Sequence, residues 1–301
     1  MLQPGRMDEP LSWDLPYVSE DSATRNTQFL RLHAAPQVEG GLVHGTVVVL
    51  HGGYWKNRFG LDDEYGNAGT KSLGPFFLAR GFSVVEVEYR RRDHAGGGWP
   101  GTNQDVLTAI HYLCRLSEEV LESDDSLLLA AKKSLRPEKL VLLGHSAGGC
   151  LAIWAGHHLH ATGIRPLVVA AAPVADLIRG HELRVSDEGD AVERYMKQKP
   201  VGPGLEEYQQ ASPAALLPVT FPLCVIYGEK DSDVPPKLVR AYAQEALRRS
   251  KAELVSILAI PTADHFDIVN AKTEVWLRHV VPNIAEMVGK HFGDAAALAL
   301  R

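Results

Sequence analysis

Apolar residues along this chain fall into short runs, separated by longer stretches in which apolar positions repeat with a helical period. A run that is apolar at successive positions is typical of a strand buried on both faces of a sheet. The runs predict strands at residues 28–32 (an alternating run, typical of an edge strand), 45–50, 82–89, 139–144, 167–172, 222–228 and 253–260. The amphipathic stretches predict helices at residues 103–121, 148–160, 236–250 and 273–291. Because strand and helix alternate, the pattern predicts an α/β fold with a mostly parallel central sheet flanked by helices on both faces.

Two segments interrupt this alternation. Residues 122–137 are charged and predict a helical insertion before a strand. Residues 176–213 are polar, irregular in pattern and rich in proline and glycine. The second segment falls where a lid could cover a site at the carboxyl ends of the strands. We therefore interpret it as a cap inserted within one domain that spans residues 1–301.

Composition and charge narrow the class of partner. The 301 residues are 45% hydrophobic and carry a formal net charge of -6, which gives no electrostatic attraction for nucleic acid or an anionic membrane. We expect a small-molecule substrate, with neither nucleic acid nor membrane as partner, and the oligomeric state stays open. The first residues lack the pattern of a signal peptide, and no segment approaches the roughly 20 apolar residues of a membrane span. Three cysteines among apolar neighbours indicate free thiols in a reducing compartment, hence a cytoplasmic location: Cys114, Cys150 and Cys224.

The strongest local motif is GHSAGG at residues 144–149, directly after a predicted strand and directly before a predicted helix. In this context G-x-S-x-G is typical of a nucleophile elbow. Gly144 and Gly148 keep side chains out of a tight turn, while Ser146 projects from it as the candidate nucleophile. The amide of Ala147, at the start of the helix, is a candidate donor to an oxyanion.

A second motif, HGGYW at residues 51–55, also follows a predicted strand. Glycine tolerates the backbone angles that turn successive amides toward one point, so Gly53 and Tyr54 are the other candidate oxyanion donors. We expect the rings of Tyr54 and Trp55 to bind substrate beside the reacting carbonyl and to leave room for a small acyl group. His51 is expected to have a structural role and to tie down the loop.

A serine nucleophile needs a base, and the base needs an orienting acid. His265 lies in a loop after a predicted strand near the end of the chain and is the candidate base. The preceding strand ends in GEKDSD at residues 228–233, which offers Asp231 and Asp233. The spacing after the glycine favours Asp231 as the triad acid, with Asp233 as the alternative. The chain order serine, aspartate, histidine is that of the α/β hydrolases.

Other clusters are less informative. Three histidines late in a predicted helix have no carboxylate or cysteine partner and are interpreted as solvated rather than metal-binding: His157, His158 and His160. The basic stretch at residues 90–94 is interpreted as a solvated loop, and the glycines at residues 96–98 lack the spacing of a phosphate-binding loop. The expectation is therefore that no metal and no organic cofactor are needed.

Together, HGGYW, GHSAGG, GEKD at residues 228–231 and DHF at residues 264–266 make the sequence similar to the kynurenine formamidases (arylformamidases) and small carboxylesterases. The resemblance implies an α/β-hydrolase fold and acyl transfer through a Ser-His-Asp triad. The leading hypothesis is hydrolysis of an aryl formamide such as N-formylkynurenine, and the alternative is hydrolysis of short-chain carboxylic esters. A binding receptor on the same fold is a third hypothesis, which an intact triad disfavours.

Overall fold

The computed structural model describes residues 10–19, 22–36, 43–63, 70–119 and 123–301. Within these ranges, eight strands form one sheet in the order β1-β2-β4-β3-β5-β6-β7-β8. Strands β1 and β2 pair antiparallel with their neighbours, while β4, β3 and β5 to β8 run parallel. The strands are β1 Ser12–Pro16, β2 Phe29–His33, β3 Thr46–Leu50, β4 Ser83–Glu88, β5 Leu140–His145, β6 Leu167–Ala171, β7 Leu223–Gly228 and β8 Val255–Ile260.

Ten α-helices are described in these ranges. They are α1 Leu73–Leu78, α2 Gly101–Glu118, α3 Ser126–Lys133, α4 Ala147–Ala161, α5 Leu177–Glu182, α6 Ala191–Met196, α7 Pro203–Ala211, α8 Pro236–Arg249, α9 Val281–Phe292 and α10 Asp294–Leu300. A π-helical turn, Trp276–Val280, leads into α9. Short 3-10 turns occupy Arg25–Thr27, Thr70–Ser72, Pro137–Lys139, Pro213–Leu216 and Ala252–Leu254.

The sheet separates two hydrophobic cores. Helices α2, α4 and α8 contribute buried residues to the core on one face, together with α5 to α7, the helices of the predicted cap. Helices α1, α9 and α10 cover the other face. Strands β3 to β7 are buried along their whole length, as the uninterrupted apolar runs predicted. The predicted mostly parallel sheet with helices on both faces is confirmed.

The structure differs from the sequence pattern at the edge of the sheet and in the inserted segments. Strand β2 is not the edge strand that its alternation suggested, because β1 pairs along its outer side. Residues 176–213, predicted to be irregular, contain the three short helices α5, α6 and α7. Of the predicted insertion at residues 122–137, the structure describes residues 123–137, which contain α3.

Two further expectations concern membrane spans and cysteines. Among the described residues, no helix is both long and apolar enough to cross a bilayer. All three cysteines are free thiols, and Cys150 and Cys224 are buried whereas Cys114 is partly exposed. Burial raises the pKa of the Cys114 thiol, which keeps this group protonated and unreactive at neutral pH.

Candidate active site

The nucleophile elbow lies at the carboxyl end of β5. Ser146 has a φ of 56° and a ψ of -116°, a conformation that residues other than glycine rarely adopt and that turns its side chain out of the chain path. Its amide donates to the carbonyl of Ala171 at 2.8 Å, which fixes the turn against β6. A Cβ atom on Gly148 would lie 2.2 Å from the carbonyl oxygen of Leu50. Only glycine therefore lets α4 approach β3 this closely.

The loop that follows β3 lies directly against the elbow. A Cβ atom on Gly52 would lie 3.1 Å from the Cβ atom of Ser146. The next three residues all have positive φ: 101° at Gly53, 52° at Tyr54 and 57° at Trp55. The structure therefore brings the predicted oxyanion residues Gly53 and Tyr54 beside Ser146, on the same edge of the sheet. Ala147, the third predicted donor, begins α4 one residue after the serine.

Behind this loop, His51 is fully buried. Its Nδ1 atom donates to the carbonyl of Gly52 at 2.9 Å, and its ring stacks on Tyr89 with centroids 4.4 Å apart. Its Nε2 atom faces Glu88, which also accepts from Arg91 at 2.9 Å. Burial opposes the charge on Glu88, but His51 and Arg91 outweigh burial and lower the pKa of that carboxyl. These contacts give His51 the loop-anchoring role that the sequence predicted.

The basic stretch after β4 is not the solvated loop that was predicted. Arg91 and Arg92 are only 7% and 8% exposed. Arg92 lies 3.5 Å from Glu188 and 3.7 Å from Asp190, both in the loop between α5 and α6. These acids are about a hundred residues away in the sequence, so the local pattern of arginines gave no signal of the pairing.

The candidate acid and base meet at the ends of β7 and β8. His265 Nδ1 donates to Asp231 Oδ2 at 2.6 Å, and both side chains are almost fully buried. The other carboxylate oxygen of Asp231 accepts from the amides of Asp233 at 2.9 Å and Val234 at 2.8 Å. The structure thus pairs Asp231 with the histidine ring and leaves Asp233 as a backbone partner. The His265 Nε2 atom stays available on the opposite side of the ring.

Asp231, Asp233 and His265 also bring possible metal-ligand atoms within 4.8 Å of one another. The hydrogen bonds of this set fit a triad better than a metal centre. His265 Nδ1 carries a proton toward Asp231, and a nitrogen that donates a hydrogen bond has no lone pair for a cation. Asp231 Oδ1 already accepts two backbone amides.

A contact that the sequence did not reveal joins the nucleophile to the base. His145, next to the nucleophile, donates through Nε2 to the carbonyl oxygen of His265 at 3.0 Å. The two rings lie 4.5 Å apart. Burial, reinforced by the nearby His265 ring, lowers the pKa of His145 well below its usual value. His145 is therefore neutral, which limits charge repulsion when His265 takes up a proton. The only sequence signal for this residue is its place directly before the serine of the GHSAGG motif.

Trp55, whose ring was predicted to bind substrate, makes a contact that the sequence did not show. Its ring is fully buried and stacks on Tyr195 of α6 with centroids 4.2 Å apart. Tyr54 is 4% exposed, and its hydroxyl donates to the carbonyl of Asp233 at 2.7 Å. Both rings therefore hold the loop in place, Tyr54 against the acid turn and Trp55 against the cap.

This architecture is that of the α/β hydrolases, with an elbow serine after β5 and an acid and a base after the last two strands. Residues 34–245, most of the chain, match the model of the BD-FAE family. The protein belongs to this family. Comparison with curated proteins finds no significant match.

Solved structures with the same fold include several esterases. Esterase B from Lactobacillus rhamnosis is 19% identical, with a TM-score of 0.65 over 96% of this chain and 86% of that one. An acetyl ester-xyloside bifunctional hydrolase from Caldicellulosiruptor lactoaceticus is 18% identical, with a TM-score of 0.65 over 96% of this chain and 99% of that one. The chain spans 35% of a bifunctional GH43-CE protein from Bacteroides eggerthii, at 19% identity, 84% coverage of this chain and a TM-score of 0.62. At these identities the similarity establishes the α/β-hydrolase fold.

Proposed function

We propose that this protein is a serine esterase that hydrolyses small carboxylic esters through an acyl-enzyme on Ser146. The observation that carries the proposal is the buried pair of His265 and Asp231, joined at 2.6 Å. Through its carbonyl, this histidine is bonded to the residue before the strained elbow serine. A base that is oriented by an acid and lies beside an elbow serine is the arrangement that acyl transfer requires.

In the proposed mechanism, Ser146 attacks the ester carbonyl while His265 Nε2 takes the serine proton. Asp231 keeps the proton of the free ring on Nδ1 and stabilises the imidazolium that forms. The amides of Gly53, Tyr54 and Ala147 receive the developing oxyanion, and each aligned donor is worth about 3 kcal/mol in the transition state. His265 then protonates the alcohol that leaves, and water attacks the acyl-enzyme by the same route.

The choice of an ester over an aryl formamide has two supports. Esterase B and the acetyl ester-xyloside hydrolase, which share the fold, are named as acting on esters. The formamidase hypothesis drew on Tyr54 and Trp55 as walls of a small acyl pocket. The contacts of both rings with the acid turn and α6 weaken that argument.

The test is steady-state hydrolysis of p-nitrophenyl acetate, hexanoate and octanoate, beside release of kynurenine from N-formylkynurenine. We expect the parent to hydrolyse the acetate and Ser146→Ala to lose at least about 10⁴-fold in kcat. Ser232→Ala, which alters an exposed serine on the acid turn, is the matched control and should retain activity. Faster cleavage of the formamide than of every ester would overturn the ester assignment. Undiminished hydrolysis by Ser146→Ala would overturn the mechanism.

A further inference from the structure

The cap carries an acidic loop, residues 184–190, between α5 and α6. The loop winds through three positive-φ residues, Arg184, Ser186 and Gly189, a geometry that holds its side chains at set positions. Asp187 and Glu188 project from it with side chains 63% and 49% exposed. Exposed carboxylates of this kind contribute little to stability on their own. Their role therefore depends on the cation that they contact.

That cation is Lys56, which directly follows the HGGYW motif. Its Nζ atom lies 2.6 Å from Asp187 Oδ1 and 3.0 Å from Glu188 Oε2, and its side chain is only 4% exposed. The ammonium is therefore withdrawn from water, and a buried charge requires partners of this kind. The hydrogen bond from Lys56 lowers the pKa of Asp187 and of Glu188, which keeps both carboxylates charged at neutral pH.

Lys56 is also part of the oxyanion loop. Its amide donates to the carbonyl of Gly53 at 2.9 Å and closes the turn that contains the predicted oxyanion donors. Its Nζ atom lies 5.9 Å from the centroid of the Tyr54 ring. The neighbouring Trp55 stacks on Tyr195 of the cap. One turn of backbone therefore contacts the cap through two consecutive side chains, one by charge and one by ring stacking.

We infer that Lys56 is a positioning residue that fastens the cap to the oxyanion loop through Asp187 and Glu188, so that the seated cap holds the amides of Gly53 and Tyr54 in place. This inference rests on the proposed esterase function. An oxyanion forms only in the transition state, so loosening its donors lowers kcat with little effect on KM.

The decisive variant is Lys56→Met, which keeps the apolar stem and removes the charge. The two carboxylates that lose Lys56 are 63% and 49% exposed and stay solvated, so no buried charge is left unpaired and the fold should survive. We expect kcat for p-nitrophenyl acetate to fall about tenfold to hundredfold, the loss that a small misplacement of reacting groups produces. Lys56→Arg keeps the cation and should restore kcat to within about threefold of the parent, since the charge can still reach both carboxylates.

Arg58→Met is the matched control. Arg58 contacts the same carboxylate of Asp187, but at 3.6 Å and with its side chain 61% exposed. A solvated ion pair of this kind contributes little to holding the loop, so kcat of Arg58→Met should stay within about twofold of the parent value. Adding Asp187→Asn to Lys56→Met should cause little further loss in kcat, because the other cation near Asp187 is the solvated Arg58. Glu188 is kept in this test because it also contacts Arg92.

Hydrogen exchange across residues 183–197 gives a readout that does not depend on turnover. We expect faster exchange in Lys56→Met and unchanged exchange in Arg58→Met. If the parent hydrolyses esters and Lys56→Met keeps its full kcat, the inference is overturned while the esterase proposal stands. If the parent hydrolyses no ester, the proposed function fails, and exchange alone decides whether Lys56 fastens the cap. If hydrogen exchange across residues 183–197 is the same in Lys56→Met as in the parent, Lys56 does not fasten the cap.

Discussion

Replacing Asp231 by asparagine tests the candidate triad most directly, because the structure determines how the new amide must lie. The carboxylate oxygen Oδ1 accepts two backbone amides, from Asp233 and Val234. In the variant, the amide oxygen must take this position, since an NH₂ group there would face two donors. The unfavourable orientation costs two buried hydrogen bonds, at about 1 kcal/mol or more each.

With its oxygen held in this way, the NH₂ group of the asparagine replaces Oδ2 and faces His265 Nδ1, which lies 2.6 Å from Oδ2 in the parent. An NH₂ group donates, so Nδ1 must accept and the ring proton must move to Nε2. A protonated Nε2 cannot take the proton of Ser146. In a Ser-His-Asp triad this change of tautomer lowers kcat by about 10⁴, which corresponds to about 5 kcal/mol in the activation free energy.

The assay is kcat for p-nitrophenyl acetate at neutral pH, with Asp233→Asn as the matched control. Both variants remove one negative charge from the same turn, so a general electrostatic effect would appear in each. We expect Asp231→Asn to lose about 10⁴-fold and Asp233→Asn to stay within about threefold, because the substitution keeps the backbone hydrogen bonds of Asp233 with Asp231 and Tyr54 and leaves Asp231 Oδ2 facing His265. A crippled Asp233→Asn beside a nearly normal Asp231→Asn would refute the assignment of the acid.

Three further predictions address the nucleophile, the elbow and the pH dependence of stability. A fluorophosphonate probe should label the parent and fail to label Ser146→Ala, whereas labelling of another serine would contradict the role of Ser146. Gly148→Ala should lower the free energy of unfolding by about 3 kcal/mol or more, since its Cβ atom would meet carbonyl oxygens at 2.2 and 2.4 Å. Gly74→Ala, whose nearest new contacts are at 3.8 Å, should leave the thermal midpoint almost unchanged. His157 is not the solvated residue that the sequence predicted, because burial lowers its pKa to about 4. The unfolded chain therefore takes up a proton that the native state does not. Stability should therefore fall as the pH drops from about 6.5 toward 4 and not above that window, and urea unfolding of His157→Gln should show a shallower fall.

The sequence by itself determined the parts of this protein that depend on neighbours close along the chain. The buried runs of β3 to β7 and the long helices α2 and α4 follow from periodicity, because a strand or helix shows its buried face in its own residues. Gly144 of the elbow is required by a contact within one turn, since its Cβ atom would lie 2.1 Å from the carbonyl oxygen of Gly148. The order of Ser146, Asp231 and His265 was readable because each follows a recognisable strand.

Only the tertiary structure decided the features that depend on residues far apart in the chain. The pairing of Asp231 with His265 was favoured by spacing alone, and the structure selects it through the atom that each carboxylate presents to the ring. The stacking of Trp55 on Tyr195 could not be read from the sequence, because the two residues are 140 positions apart. Lys56 and the acidic loop of the cap are similarly distant. Local sequence specifies the backbone path of each element, whereas the contacts of a side chain depend on which distant elements the fold places around it.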